Sequence, residues 1–259
     1  MRQSWKGALV AAAVFATPLA MGVAPAQQQG AAAGFTEAQK AEFVGILREA
    51  LRADPSILRE ALEALEAAER RDREGASRTA IAAHAEALFR NPADPNIGNP
   101  RGAVTVVEFF DPRCGYCKRM RPVVEELLRR QRDVRWVMKE LPILGPNSVL
   151  ASRALVAAQK QGKYAELHDA LLKLRDEPTE PVLRREAERV GLDWARVKRD
   201  MDDPSVQRRF DATAQLAQAL GVQGTPAMVV GETLVPGAVE LAALERLVAE
   251  ARGTAASAR

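Results

Sequence analysis

The sequence predicts an α/β domain built on a strand–helix–strand unit, carrying a helical insertion and preceded by a separate N-terminal helical segment. Three observations predict it. The run Val104, Val106, Val107, Phe109 and Phe110 is almost continuously apolar, as a strand buried on both faces requires. A helix-compatible stretch from about Cys114 to Arg130 separates it from a second strand-like run, Val134 to Leu141, which makes a βαβ unit. Before Asn91 the apolar residues instead recur at three- and four-residue steps behind capping residues, the pattern of helices.

The first residues stand apart from any fold. Arg2 and Lys6 precede an apolar run from Ala8 to about Val23, and Ala24-Pro25-Ala26 offers small residues at its exit. This is the layout of a secretory signal, residues 1–26, cleaved near Ala26. An uncleaved membrane anchor is the alternative, but the run is short for a span and Pro18 breaks it. No cysteine lies near the exit, which excludes a lipoprotein anchor.

Residues 27–90 form the N-terminal helical segment and its linker. After a polar and small-residue leader, Thr36 caps a helix bearing Phe43, Ile46, Leu47 and Leu51. Asp54-Pro55 restarts the helix, and Ile57, Leu58, Leu62 and Leu65 continue the apolar stripe. From Glu66 to Ala80 the stripe gives way to Glu, Arg and Ala with Gly75 in the middle, which reads as a spacer. Two narrow stripes followed by a spacer point to self-association of this segment; docking on the following domain is the alternative.

Residues 91–259 make up the α/β domain. Asp111-Pro112-Arg113 turns the chain after the first strand, and Pro122 falls inside the following helix. The insertion, about residues 146–221, is a long helical tract. Ala227 to Val230, a Gly231-Glu232 turn and a short strand to Val235 form a hairpin before a closing helix from Val239 to Ala251.

Composition supports a folded, helix-rich chain: 47% of its 259 residues are hydrophobic, which excludes disorder and a collagen-like repeat. The formal charge is +3, and removing Arg2 and Lys6 with the signal brings it almost to neutrality. Charge therefore gives no reason to expect nucleic acid or an anionic membrane as partner.

The chemistry lies in the two cysteines, which stand three apart in Cys114-Gly115-Tyr116-Cys117. Residues three apart share a helix face, and the start of a helix presents unpaired N–H groups with partial positive charge. That setting favours the Cys114 thiolate, the attacking species in disulfide exchange. Arg113 and Lys118 add positive charge nearby. A lowering by one pKa unit is worth about 1.4 kcal/mol, or about 30 mV in a two-electron couple, so local electrostatics decide between reductant and oxidant.

Other uses of the motif fit less well. A zinc site needs four ligands, and the only histidines, His84 and His168, lack the spacing. They read as ordinary helix residues. Haem attachment needs histidine where Lys118 stands. An inert structural disulfide does not explain the placement between a buried strand and a helix start.

The stretch VVEFFDPRCGYCK from Val106 to Lys118 resembles the active-site region of DsbA-like bacterial proteins. The likeness continues through Lys139-Glu140-Leu141-Pro142-Ile143-Leu144 and Gly224-Thr225-Pro226-Ala227, and covers about Asn91 to Ala251. The helices before it look like the oligomerisation segment of the ScsC-type subgroup. The resemblance implies a thioredoxin fold with a helical insertion, with Cys114 as exposed nucleophile and Cys117 as buried resolving cysteine. Glu108 would be the buried acid that exchanges protons with Cys117; a strand-end surface carboxylate is its other reading. Thr225-Pro226 matches the loop whose cis proline faces the cysteines and leaves the preceding backbone free to pair with an extended substrate. With Gly115 and Tyr116 it would form the substrate-binding surface.

The resemblance divides on subtype. Strongly oxidising DsbA enzymes carry Pro-His between the cysteines, whereas Gly115-Tyr116 and Thr225 resemble disulfide isomerases of the DsbC type. It implies a periplasmic isomerase acting on exported proteins with cysteines or disulfides. A membrane redox partner would keep it reduced, and the N-terminal helices would assemble it as a homo-oligomer. The alternatives are a dithiol oxidase that introduces disulfides and a chaperone that binds copper or unfolded protein, since paired thiolates suit Cu(I). No cofactor beyond the redox-active Cys114–Cys117 pair, and no metal in the redox role, is implied.

Overall fold

Helix α1 (Glu37–Ala53) begins behind a reciprocal cap: the Gln39 amide donates to Thr36 Oγ1 at 3.3 Å, and the Thr36 amide donates to Gln39 Oε1 at 2.9 Å. Helix α2 (Ser56–Ala83) follows, its first amide held by Asp54 Oδ1 at 3.0 Å. The computed structural model describes residues 35–257; the signal expected over 1–26 lies outside the described residues. The chain divides into two compact units between Glu60 and Ala61. In the first unit α1 buries no residue, and Phe43, Ile46 and Leu47 stand exposed. Ile57, Leu58, Leu62 and Leu65 on α2 are exposed as well.

The spacer read over 66–80 is in fact helix, since α2 runs unbroken through Gly75. Glu, Arg and Ala are themselves strong helix formers, and a single glycine costs only about 1 kcal/mol. The last turn of α2 buries Ile81, and the short helix α3 (Ala85–Phe89) buries Leu88, both against the sheet of the second unit. Behind them Lys139 and Asp94 form a buried ion pair, and Lys139 Nζ also donates to the Ala87 carbonyl at 2.8 Å. The second unit thus reaches back to Ala61, before the boundary at 90/91 read from the sequence.

Its sheet has five strands in the order β1-β3-β2-β4-β5. The centre is β2 (Val104–Phe110), parallel to β3 (Val134–Glu140) and joined to it through α4 (Gly115–Arg130). Strand β4 (Ala227–Val230) runs antiparallel to β2, and β5 (Thr233–Pro236) closes the hairpin. Strand β1 (Asn96–Gly98) pairs antiparallel with β3 and has no counterpart in the sequence reading. Three residues carry no periodicity. Gly98 ends the strand at φ +77°, where a Cβ would come within 2.8 Å of the Val134 carbonyl.

Side chains alternate across β2. Val106 and Phe110 pack with Trp136 and Met138 of β3, Cys117 and Met120 of α4 and Leu244 of the closing helix α10 (Leu241–Ser257). Val107 and Phe109 face the other way, towards Ile81, Leu88 and Leu216. Glu108, between them, shares the face of Val106 and Phe110. The insertion supplies α5 (Pro146–Gln159), α6 (Tyr164–Lys173), α7 (Glu180–Arg189), α8 (Trp194–Met201) and α9 (Pro204–Ala219). Helix α6 lays Leu167 and Leu171 on the Glu108 face, and α9 covers the other with Leu216. No helix among the described residues is long and apolar enough to cross a membrane.

Candidate active site

The two cysteines sit where β2 hands the chain to α4. Buried Asp111 organises the turn. Its Oδ1 accepts from the Arg113 amide at 2.8 Å, its carbonyl accepts from the Cys114 amide at 3.0 Å, and its Oδ2 accepts from the amides of Ile143 and Leu144 at 2.9 and 3.0 Å. One side chain therefore fixes both the cysteine turn and the loop after β3. Cys114 is the N-cap of α4, in extended conformation and without a side-chain capping bond. Cys117 lies one turn on, among the core residues.

Both cysteines are free thiols. Cys114, expected as the exposed nucleophile, is itself buried at 6% exposure because it packs with the core residues below the turn, while Cys117 lies deeper still. The Cys114 thiol donates to the Thr225 carbonyl across 3.2 Å, and the Thr225–Pro226 peptide bond is cis. Cys114 is held at a pKa of about 5, well below the ordinary thiol value of 9.0. A hydrogen bond from Cys117 is the largest cause; burial opposes it, and the Thr225 side chain and the backbone amides of Cys117 and Tyr116 add to it. Cys117 is pushed the opposite way by the same hydrogen bond, by burial and by the nearby Glu108 carboxylate. At neutral pH the pair is one thiolate and one thiol, with the thiolate on the residue nearer the surface.

Glu108 is 4% exposed and is no surface carboxylate. Burial raises its pKa from 4.5 to about 7, Trp136 Nε1 partly offsets this by donating to Oε2 at 2.8 Å, and the Cys114 charge adds to the rise. Glu108 and Cys117 line the same cavity of about 90 Å³, which continues past His168 to Arg121 and Asp169. His168 lay outside the residues singled out by sequence, where a lone helical histidine carries no signal.

The positive charges flanking the cysteines are engaged elsewhere. The Arg113 guanidinium forks the Glu177 carboxylate at 2.7 and 2.6 Å, and Lys118 Nζ donates to the Leu174 carbonyl at 2.8 Å. Both contacts tie the loop between α6 and α7 to the cysteine turn. Around Cys114 the rim is apolar and open: Tyr116 is 59% exposed beneath the Arg119 guanidinium, and Ile143 is 51% exposed. Gly115 adds no side chain to this rim. The structure thus brings Cys114, Cys117, Glu108 and Thr225-Pro226 together, with Gly115 and Tyr116 at the opening. No cluster of three or more metal-ligating side chains occurs among the described residues.

Comparison with known proteins agrees with this geometry. The family model for a DSBA-like thioredoxin domain matches residues 105–249, and that for the copper resistance protein ScsC N-terminal domain matches residues 39–71. A thioredoxin-like oxidoreductase from Silicibacter pomeroyi is 45% identical, with 65% of this chain and 97% of that one covered and a TM-score of 0.64. Proteus mirabilis ScsC in a transitional conformation is 30% identical over 85% of this chain and 98% of that one, with a TM-score of 0.63. A Na(+)/H(+) antiporter NhaA 3 from Salinispora tropica is 35% identical over 170 residues, 63% of this chain. The chain spans only 26% of that curated relative's length.

Proposed function

The chain belongs to the family of DsbA-like thioredoxin domains, which are thiol–disulfide oxidoreductases, and from that premise we propose that it is a periplasmic disulfide isomerase acting on exported proteins. The observation that carries the chemistry is the division of the pair into a thiolate at Cys114 and a buried thiol at Cys117. The Cys114 thiolate attacks a client disulfide. One client sulfur joins Cys114, and the other leaves as a thiolate with the electron pair. That thiolate then re-pairs elsewhere in the client, or Cys117 attacks the Cys114 sulfur and releases a stalled client. In the second route the Cys117 proton passes to Glu108, whose pKa near 7 suits proton exchange at neutral pH.

Tyr116, Ile143 and Leu144 offer apolar contact to an unfolded client, with the backbone at Thr225-Pro226 beside Cys114. The exposed apolar residues of α1 and α2 support self-association, which would set several active sites around one client. A membrane redox partner returns the dithiol to its reduced form.

A specific observation favours a second reading. A thiolate as stable as that of Cys114 also favours a dithiol oxidase, because it stabilises the reduced enzyme. Redox state in cells and oligomeric state separate the two. A reduced oligomer that refolds scrambled ribonuclease supports isomerisation, and a monomer found oxidised refutes it. Light scattering on the full chain and on Leu58→Glu tests the assembly, since the charge should dissociate it. The Cys114→Ser, Cys117→Ser chain tests a third reading, a copper- or unfolded-protein-binding chaperone, in which client protection would persist without exchange.

A further inference from the structure

The cavity behind Cys117 contains a group with no part in the exchange described so far. His168 is 6% exposed, and its Nε2 meets no hydrogen-bonding group of the protein among the described residues. A buried ring nitrogen left unpaired costs free energy. The ring is nevertheless held firmly. It packs edge-on against Phe110 at 4.9 Å between centroids and stacks on Tyr164 at 5.9 Å.

The cavity of about 90 Å³ has room for water, and its largely apolar wall carries a few polar side chains, among them Glu108, His168, Arg121 and Asp169. Its inner end carries the Glu108 carboxyl and the Cys117 thiol, and His168 lines its side. Its outer end is an ion network in which Arg121 pairs with Glu125 and, at 3.1 Å, with Asp169. The cavity therefore joins the most buried proton-exchanging groups of the site to charges that meet solvent.

We propose that His168 is a positioning residue for proton transfer: its Nε2 holds a cavity water against the Glu108 carboxyl, and the proton released by Cys117 leaves along that water towards the Arg121–Asp169 mouth. This rests on Glu108 serving as the proton partner of Cys117. When Cys117 attacks the Cys114 sulfur, the bond to the client breaks and the client sulfur leaves with the electron pair. The Cys117 proton moves to Glu108, then through the cavity water to solvent, where the client thiolate is protonated according to its own pKa. His168 gains no net proton in this scheme.

The surroundings agree with a neutral ring. Burial lowers the His168 pKa to about 4, and Asp169 on the same helix opposes this. The other titratable groups facing it are Glu108 from β2, Cys117, Arg121 and Glu125 from α4, and Tyr164 from its own helix. Glu140 of β3 accepts from the Tyr164 hydroxyl at 2.6 Å and pairs with Arg209 at 2.8 Å. A neutral imidazole retains one unprotonated nitrogen and can accept a hydrogen bond from water.

The test uses the full chain carrying a peptide in mixed disulfide with Cys114, and follows peptide release by stopped flow across pH 5 to 9 in H2O and D2O. His168→Leu keeps an apolar filler and should slow release about tenfold, a part of the usual acid–base contribution, while shifting the pH midpoint and the isotope effect. His168→Gln supplies a polar atom again and should recover most of the rate. A folded His168→Leu protein with unaltered rate, midpoint and isotope effect overturns the proposal. Should neither variant fold, NMR of the unaltered chain decides. The His168 ring signals should move at the pH where the Glu108 carboxyl titrates, and a ring silent there overturns the proposal. An unaltered protein that forms no mixed disulfide refutes the exchange chemistry instead, and release indifferent to Glu108→Gln refutes the proton partner.

Discussion

Replacing Glu108 by Gln removes a titration that the fold makes costly. In the folded chain the carboxyl has a pKa of about 7 against an ordinary 4.5, so the folded state holds this proton more tightly than the unfolded one. The stability it contributes is fully present below pH 4.5 and is lost as pH rises through 7. That difference corresponds to about 3 kcal/mol, at about 1.36 kcal/mol for each pKa unit. Glu108→Gln does not titrate and should gain about 3 kcal/mol relative to the unaltered chain between pH 4 and pH 8. The glutamine carbonyl can still accept from Trp136 Nε1. Its amide adds a desolvation cost of roughly 1–3 kcal/mol that is the same at every pH. The diagnostic is therefore the change with pH, not the absolute stability. Urea denaturation of the reduced proteins at pH 4, 6 and 8, followed by tryptophan fluorescence, measures it. The Cys114 titration is common to both proteins, and repeating the pair in a Cys114→Ser background isolates burial, the larger cause. Stabilities that run parallel from pH 4 to pH 8 would refute the buried-acid assignment.

Cys117→Ala should raise the Cys114 pKa well above 5, whereas Cys117→Ser keeps a donor and should raise it less; alkylation rate against pH reads both. Trp136→Phe deletes the donor to Glu108 and should push that carboxyl above 7, visible as an upward shift of its NMR titration. Asp111→Ala orphans the amides of Arg113, Ile143 and Leu144 and should cost about 3 kcal/mol in urea unfolding.

The catalytic pair was legible because its signals are local: two cysteines three apart, after an apolar run that can only be a buried strand. Glu108 was marked by the family resemblance rather than by the run, and its hydrogen-bond donor is Trp136, a residue of another strand that no spacing connects to it. Arg113 and Lys118 were legible as positive charges but not as engaged ones, because Glu177 and Leu174 reach them from the insertion. His168 reads as an ordinary helix residue in the sequence for the same reason. Its neighbours Phe110 and Glu108 lie far away in sequence, and only the folded sheet puts them against α6. The stretch around Gly75 reads as a spacer because its apolar stripe fades, yet a helix with strong formers on both sides simply absorbs the glycine.

The sheet itself ends in two blunt margins. Strand β1 is three residues long and stops at Gly98, and β5 is four residues long and finishes in Pro236, which has no N–H to offer. Neither margin offers a long row of unpaired backbone groups on which a foreign strand could template itself. For a protein proposed to handle incompletely folded chains, this is a form of immunity. A client can be gripped by its sulfur and by apolar side chains, yet it finds little in the sheet to zip onto. Contact then does not convert the handler into a seed for the aggregates its clients would form.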